Sequence, residues 1–111
     1  GLGLVDNAAR MGTYLLAQLR DRLSDHPNVV EIRGEGLMAA VEFGAHKAPL
    51  ELFDPSRKVG YALAAAVAQR NVITRAMPEG DILGLAPPLC ITEGEIDLLV
   101  DAISAAVAEV F

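Results

Sequence analysis

The stretch Val29-Val30-Glu31-Ile32-Arg33-Gly34-Glu35-Gly36-Leu37-Met38-Ala39-Ala40-Val41-Glu42-Phe43 decides the fold. Val29 to Arg33 and Leu37 to Phe43 are short β-prone runs. Gly34-Glu35-Gly36 between them supplies glycines able to take the positive φ of a tight reversal, so the segment reads as a β-hairpin. It is not a phosphate-binding loop, because no third glycine follows at the required spacing and the next element is a strand instead of a helix.

Upstream of the hairpin, Leu4, Ala8, Met11, Leu15, Leu16, Leu19 and Leu23 recur at helical spacing with polar residues mostly between them, which predicts an amphipathic helix over residues 3–24. Asp25-His26-Pro27-Asn28 ends it, since proline cannot continue the helical ladder. Downstream, Gly44 to Leu52 reads as an exposed loop, and Asp54-Pro55 offers an N-cap with proline at the first helical position. The helix that follows carries a narrow stripe of Val59, Ala62, Leu63, Ala66 and Val67, with Asn71 suited to end it in a left-handed conformation. Val72-Ile73-Thr74 reads as a buried strand, Met77 to Asp81 as a turn and Ile82 to Leu85 as a second strand, giving an irregular antiparallel pair over residues 72–85. Ala86-Pro87-Pro88 ends it. Thr92-Glu93-Gly94-Glu95 is a capping box immediately ahead of Ile96, Leu99, Val100, Ile103, Val107 and Val110. The element order α-β-β-α-β-β-α predicts an α+β domain, a small antiparallel sheet covered by helices.

The composition bounds what such a domain can do. A chain of 111 residues holds one domain, and 52% hydrophobic against 22% charged residues give it ample core material. A formal net charge of −6 repels phosphate backbones and anionic lipid, so neither a nucleic acid nor a membrane is expected as partner. Cys90, the single cysteine, excludes an internal disulfide and a multi-cysteine zinc site and points to a reducing, cytoplasmic setting. No apolar run reaches the roughly 20 residues of a membrane helix. The start at Gly1 instead of methionine suggests a segment of something longer.

The chemistry-bearing residues are sparse. His26 and His46 both fall in stretches that read as solvated turns, which rules against a histidine triad or a histidine metal cluster. Glu93, Glu95, Asp97 and Asp101 sit at the start of the last helix, where the helix dipole favours them. Lys47 and Lys58 lack the desolvated setting of a Schiff-base lysine. Arg33 beside the hairpin glycines reads as structural, pairing with Glu31 or Glu35. Arg75 stands out: it directly follows an apolar strand, where a guanidinium could receive a carboxylate through two parallel hydrogen bonds. Spacing alone favours the plainer reading, an arginine that snorkels over the core and pairs with Asp81 or Glu79 at the surface.

Asn71-Val72-Ile73-Thr74-Arg75 together with Asp81 through Asp97, including Ala86-Pro87-Pro88-Leu89, resembles the C-terminal end of class III (ω-type) aminotransferases, which depend on pyridoxal phosphate. Arg33-Gly34-Glu35-Gly36-Leu37-Met38 with Val41-Glu42-Phe43 is similar to that family's hairpin, and Leu4-Val5-Asp6-Asn7-Ala8-Ala9 to the helix leading into its small domain. The similarity thus runs along essentially the whole chain.

This resemblance implies that residues 1–111 form the single small C-terminal domain of a fold-type I enzyme, with residues 1–25 the helix leading in from the large domain. It implies a homodimer in which pyridoxal 5′-phosphate is held mainly by the large domain and the partner subunit. By position after the strand, Arg75 is similar to the arginine that binds the carboxylate of the amino donor or keto-acid acceptor, and that can swing away for uncharged amines. Neither Lys47 nor Lys58 matches the family's cofactor lysine, so the 111 residues alone are expected to be inactive, with no catalytic, cofactor-binding or metal-binding residue among them. The expected reaction moves an amino group from an amine or ω-amino acid to a keto acid such as pyruvate or 2-oxoglutarate. The alternatives are a mutase or decarboxylase on the same scaffold, and a free-standing α+β ligand-binding or dimerisation module without catalysis.

Overall fold

The computed structural model describes residues 2–47, 49–69, 75–76 and 81–111. The elements are α1 (Leu2–Leu23), β1 (Val29–Glu35), β2 (Met38–Phe43), β3 (His46–Lys47), β4 (Leu50–Glu51), a 3-10 turn (Pro55–Arg57), α2 (Val59–Ala68), β5 (Arg75–Ala76), β6 (Ile82–Leu85) and α3 (Glu93–Val110). This is an α+β architecture. The main sheet is antiparallel with the order β1-β2-β6-β5, so the N-terminal hairpin and the C-terminal pair join through β2 and β6.

Strand alternation decides which face is covered. Ala39, Val41 and Phe43 of β2 are buried together with Leu83 and Leu85 of β6, and the register sets Ala39 opposite Leu85 and Val41 opposite Leu83. α1 packs on β1 and β2, α2 on β5 and β6, and α3 lies against both helices. Leu15, Leu19, Leu63, Ile96 and Ile103 fill the space between these layers with no exposure to solvent. Each such side chain stabilises the fold by roughly 1.5–3 kcal/mol through leaving water. The opposite face of the sheet carries Met38, Ala40, Glu42, Ile82 and Gly84, all exposed or half-buried.

The hairpin turn begins two residues after the first of its glycines. β1 continues through Gly34 to Glu35, which faces Met38, and the turn is Gly36-Leu37 with Gly36 at φ 56°. A glycine at the first of two turn residues matches the right-handed twist of the flanking strands. Gly34 serves a different purpose: a β-carbon there would come 2.7 Å from the Met38 carbonyl oxygen and 3.0 Å from Leu16 Cδ2, so its lack of a side chain lets α1 approach.

Two further local readings change. Gly44 to Leu52 is not a plain exposed loop: Gly44 is buried, and β3 and β4 pair there as His46 with Glu51 and Lys47 with Leu50, closed by a 2.7 Å bond from the Ala45 amide to the Glu51 carbonyl. Strands of two residues leave no alternation to read. Asp54-Pro55 opens the 3-10 turn instead of α2: Asp54 Oδ1 accepts from the Ser56 amide at 2.9 Å and from Ser56 Oγ at 2.8 Å. Those two bonds hold the Asp54 carboxyl below its ordinary value against an opposing effect of burial, with a lesser contribution from the Arg57 charge. The chain then turns through Lys58, in the left-handed conformation at φ 48°, before α2 begins at Val59. In α2, Ala62 is exposed and Gly60 takes a buried place beside Val59, Leu63, Ala66 and Val67.

α3 starts as its sequence dictates. The Thr92 hydroxyl accepts from the Glu95 amide at 3.2 Å, and Glu95 Oε1 accepts from the Thr92 amide at 3.1 Å. The readings that place Asn71 at the end of a helix, Val72-Ile73-Thr74 in a strand and Met77 to Gly80 in a turn lie outside the described residues.

Candidate functional site around the edge strand

Arg75 begins β5, the edge strand next to β6, and its backbone partner is Gly84. Gly84 in turn faces Ala40 of β2, and Ala40 faces Arg33 of β1. One row of the sheet therefore reads Arg33, Ala40, Gly84, Arg75, with an arginine on each edge strand and the two smallest residue types between. At a strand spacing of about 4.8 Å, the two arginine positions lie about 14 Å apart along the row.

Arg33 at the far end is committed to the sheet surface. Its Nη1 donates to Glu42 Oε1 at 3.0 Å and lies 3.4 Å from Glu31 Oε2. Glu31 is a partner the sequence suggested. Glu42 is close only because β2 folds back on β1, and Glu35 forms neither of these pairs.

Asp81 immediately precedes β6, and its sequence context marks it only as a turn residue and a surface partner. Its Oδ1 accepts from the Gly60 amide at 3.0 Å in the first turn of α2, and its carbonyl accepts from the Phe43 amide at 2.9 Å. Lys58, the N-cap residue of α2, makes no side-chain cap, so a carboxylate 21 residues away satisfies one of the helix's first donors. No local spacing signals such a cap. Glu79, the other suggested partner of Arg75, lies outside the described residues.

The exit of β6 is fixed by α1. Asn7 Nδ2 donates to the Leu89 carbonyl at 2.7 Å and to the Ile91 carbonyl at 3.0 Å, holding the segment after Pro87-Pro88. Farther along the same two helices, Tyr14 Oη donates to Asp97 Oδ1 at 2.6 Å and Arg22 Nη1 to Asp101 Oδ1 at 2.5 Å. The hydrogen bond to Asp97, then burial and the negative charges of Asp97 and Glu93, push the Tyr14 phenol up to about 12. Asp97 and Asp101 thus tie α3 to α1, in keeping with a structural role for the acidic residues of that helix.

His26, read as a solvated turn residue, is half-buried: its ring packs against Phe111 and its Nδ1 accepts from the Asn28 amide at 3.1 Å. Burial, and secondarily the charge of Lys47, lowers its pKa. His46 is exposed on β3, with Glu51 3.8 Å away. Among the described residues no three His, Cys, Asp or Glu side chains are grouped to hold a metal ion, and no helix is long and apolar enough to cross a membrane.

The model of the aminotransferase class-III family matches residues 2–107. The chain belongs to the class-III aminotransferase family. It is 47% identical over 97% of its length to the diaminobutyrate–2-oxoglutarate transaminase of Halomonas elongata, and 35% identical over 98% to the hypotaurine/taurine–pyruvate aminotransferase of Paracoccus denitrificans. These matches take in 23% and 24% of the relatives, so the chain spans about a quarter of their length. Among solved structures, a thermostable ω-transaminase mutant from Pseudomonas jessenii superposes with a TM-score of 0.90 at 35% identity, over 98% of this chain and 24% of that one. An (S)-enantioselective ω-transaminase from Thermomicrobium roseum gives 0.89 at 44% identity, over 97% and 23%.

Neither lysine has the setting of a Schiff-base amine. A Schiff-base lysine needs a desolvated amine. Lys47 Nζ instead donates to the Ser24 carbonyl at 2.6 Å at an exposed position, and Lys58 is an exposed residue in the turn before α2.

Proposed function

We propose that this chain is the small C-terminal domain of a pyridoxal-phosphate-dependent aminotransferase that moves an amino group from an amine or ω-amino acid to a keto acid, and that Arg75 binds the substrate carboxylate. The family match over residues 2–107 carries this reading. Two relatives named for 2-oxoglutarate and pyruvate, both carboxylates, support the acceptor class. An arginine on an edge strand, with no side chain on the residue opposite, suits a planar anion that must enter and leave. In this reading a large domain of the same polypeptide and a second subunit supply the cofactor site, and the enzyme is a cytoplasmic homodimer.

The test uses the full-length enzyme and two half-reactions, one with a keto acid and one with an uncharged amine. A charge-assisted pair of hydrogen bonds is worth about 1.5–3 kcal/mol, so Arg75→Ala is expected to slow the keto-acid half-reaction about ten- to hundred-fold more than the amine half-reaction. Equal losses in the two would remove Arg75 from the substrate site. Mass spectrometry after borohydride reduction checks the cofactor: an adduct on a lysine outside residues 1–111 is expected, and a polypeptide of 111 residues with no adduct would leave a binding module.

A further inference from the structure

We infer that Asp81 is a positioning residue for Arg75, acting by locking α2 to the β2–β6 pair, of which β6 carries the strand on which Arg75 sits. The inference rests on the proposed role of Arg75 and adds to it the group that sets where that arginine stands.

β5 lies at the sheet edge, where Arg75 pairs with Gly84 and Ala76 with Leu83. Among the described residues the elements beside it are β6, with which it pairs, and α2, which packs on it. Asp81 joins those two elements. Its carboxylate takes the Gly60 amide of α2 at 3.0 Å, while its carbonyl takes the Phe43 amide at 2.9 Å and carries the β2–β6 pairing one step past Ile82. Gly60 is buried, and a β-carbon there would rest 3.5 Å from the Asp81 Cα, so helix and strand meet at van der Waals distance at this point.

The arrangement has a specific chemical requirement. Gly60 presents one of the unpartnered donors of a helix start, and Lys58 provides no side-chain acceptor for it. An acceptor at the length of an aspartate or asparagine side chain meets that need from position 81. Alanine cannot, and glutamate carries its oxygens one methylene farther out. Loss of the bond frees α2 to shift against β6, and the edge strand packed against both moves with them. A shift of about 1 Å in a substrate-binding group is enough to cost one to two orders of magnitude in rate.

The experiment compares Asp81→Ala, Asp81→Glu and Asp81→Asn in the full-length holoenzyme, with Arg75→Ala and the Arg75→Ala/Asp81→Ala double variant alongside. Asp81→Ala and Asp81→Glu are expected to raise KM for the keto acid about ten-fold more than KM for an uncharged amine. Asp81→Asn is expected to retain the wild-type ratio. In the Arg75→Ala background, Asp81→Ala should add no further selective loss. Hydrogen exchange of the Gly60 amide should accelerate in Asp81→Ala and stay slow in Asp81→Asn. If Arg75→Ala is selective but the Asp81 variants slow both half-reactions alike, Asp81 is merely structural and the inference fails. If Arg75→Ala itself is unselective, the reading of Arg75 fails first. Should Asp81→Ala fold poorly, Asp81→Glu decides: a wild-type KM ratio there overturns the proposal.

Discussion

Gly12, in the middle of α1, lies with its α-carbon directly against the carbonyl oxygen of Gly36 at the tip of the β1–β2 hairpin, and a β-carbon on residue 12 would overlap that oxygen. The obstacle is backbone on both sides, so no rotamer change relieves it. Gly12→Ala is therefore expected to destabilise the domain by about 3 kcal/mol, the upper part of the overpacking range. Gly94, in the first turn of α3, has nothing within 4 Å of the same position, and Gly94→Ala should stabilise by about 0.5 kcal/mol through the unfolded chain. Urea midpoints of the two variants measure the contrast, and similar midpoints would contradict the packing described.

Asn7 makes two bonds that only a donor can make, one to the Leu89 carbonyl and one to the Ile91 carbonyl. Asn7→Asp keeps the shape but sets a carboxylate against two carbonyl oxygens. It should cost about 2 kcal/mol, and local hydrogen exchange should rise first at the start of α3. Wild-type urea stability in Asn7→Asp would mean that α1 does not hold the segment after Pro87-Pro88.

Tyr14 gives a pH signature. Its phenol is pushed from 10.0 to about 12, first by its hydrogen bond to Asp97, then by burial and the nearby carboxylate charges. The group's folded pKa is raised, so its contribution to stability is complete below pH 10 and is lost as pH climbs from 10 through 12. An absorbance titration of the phenolate should show one tyrosine ionising near 12. Asp97→Asn should move that transition down toward 10, and Tyr14→Phe should remove it. A Tyr14 transition that stays near 10 in the wild type would deny the contact.

Much of the fold was legible because its signals are local. The capping box at Thr92 and Glu95 is a contact between residues three apart, and the α1 stripe from Met11 to Leu23 shows in the helical period. Where the reading slipped, the deciding contact was distant. Gly34 looks like a turn glycine until α1 is present to press Leu16 on it, and Asp54 looks like the cap of α2 until the chain is seen to turn once more through Lys58. At the candidate site, the residue type of Arg75 and its place after an apolar run are local signals. The glycine opposite it, and the carboxylate of Asp81 on α2, come from pairings across 9 and 21 positions that no spacing encodes.

By itself, then, the sequence determined the three helices, the antiparallel hairpin of β1 and β2, the start of α3 and the resemblance that led to the class-III family, because each rests on neighbours along the chain. Tertiary structure alone decided the strand order β1-β2-β6-β5, the row that sets Arg33 and Arg75 at opposite edges, the cap that Asp81 lends to α2 and the contact of Gly12 with Gly36. Those depend on which surfaces meet once apolar side chains leave water, and that is settled by packing the whole domain at once.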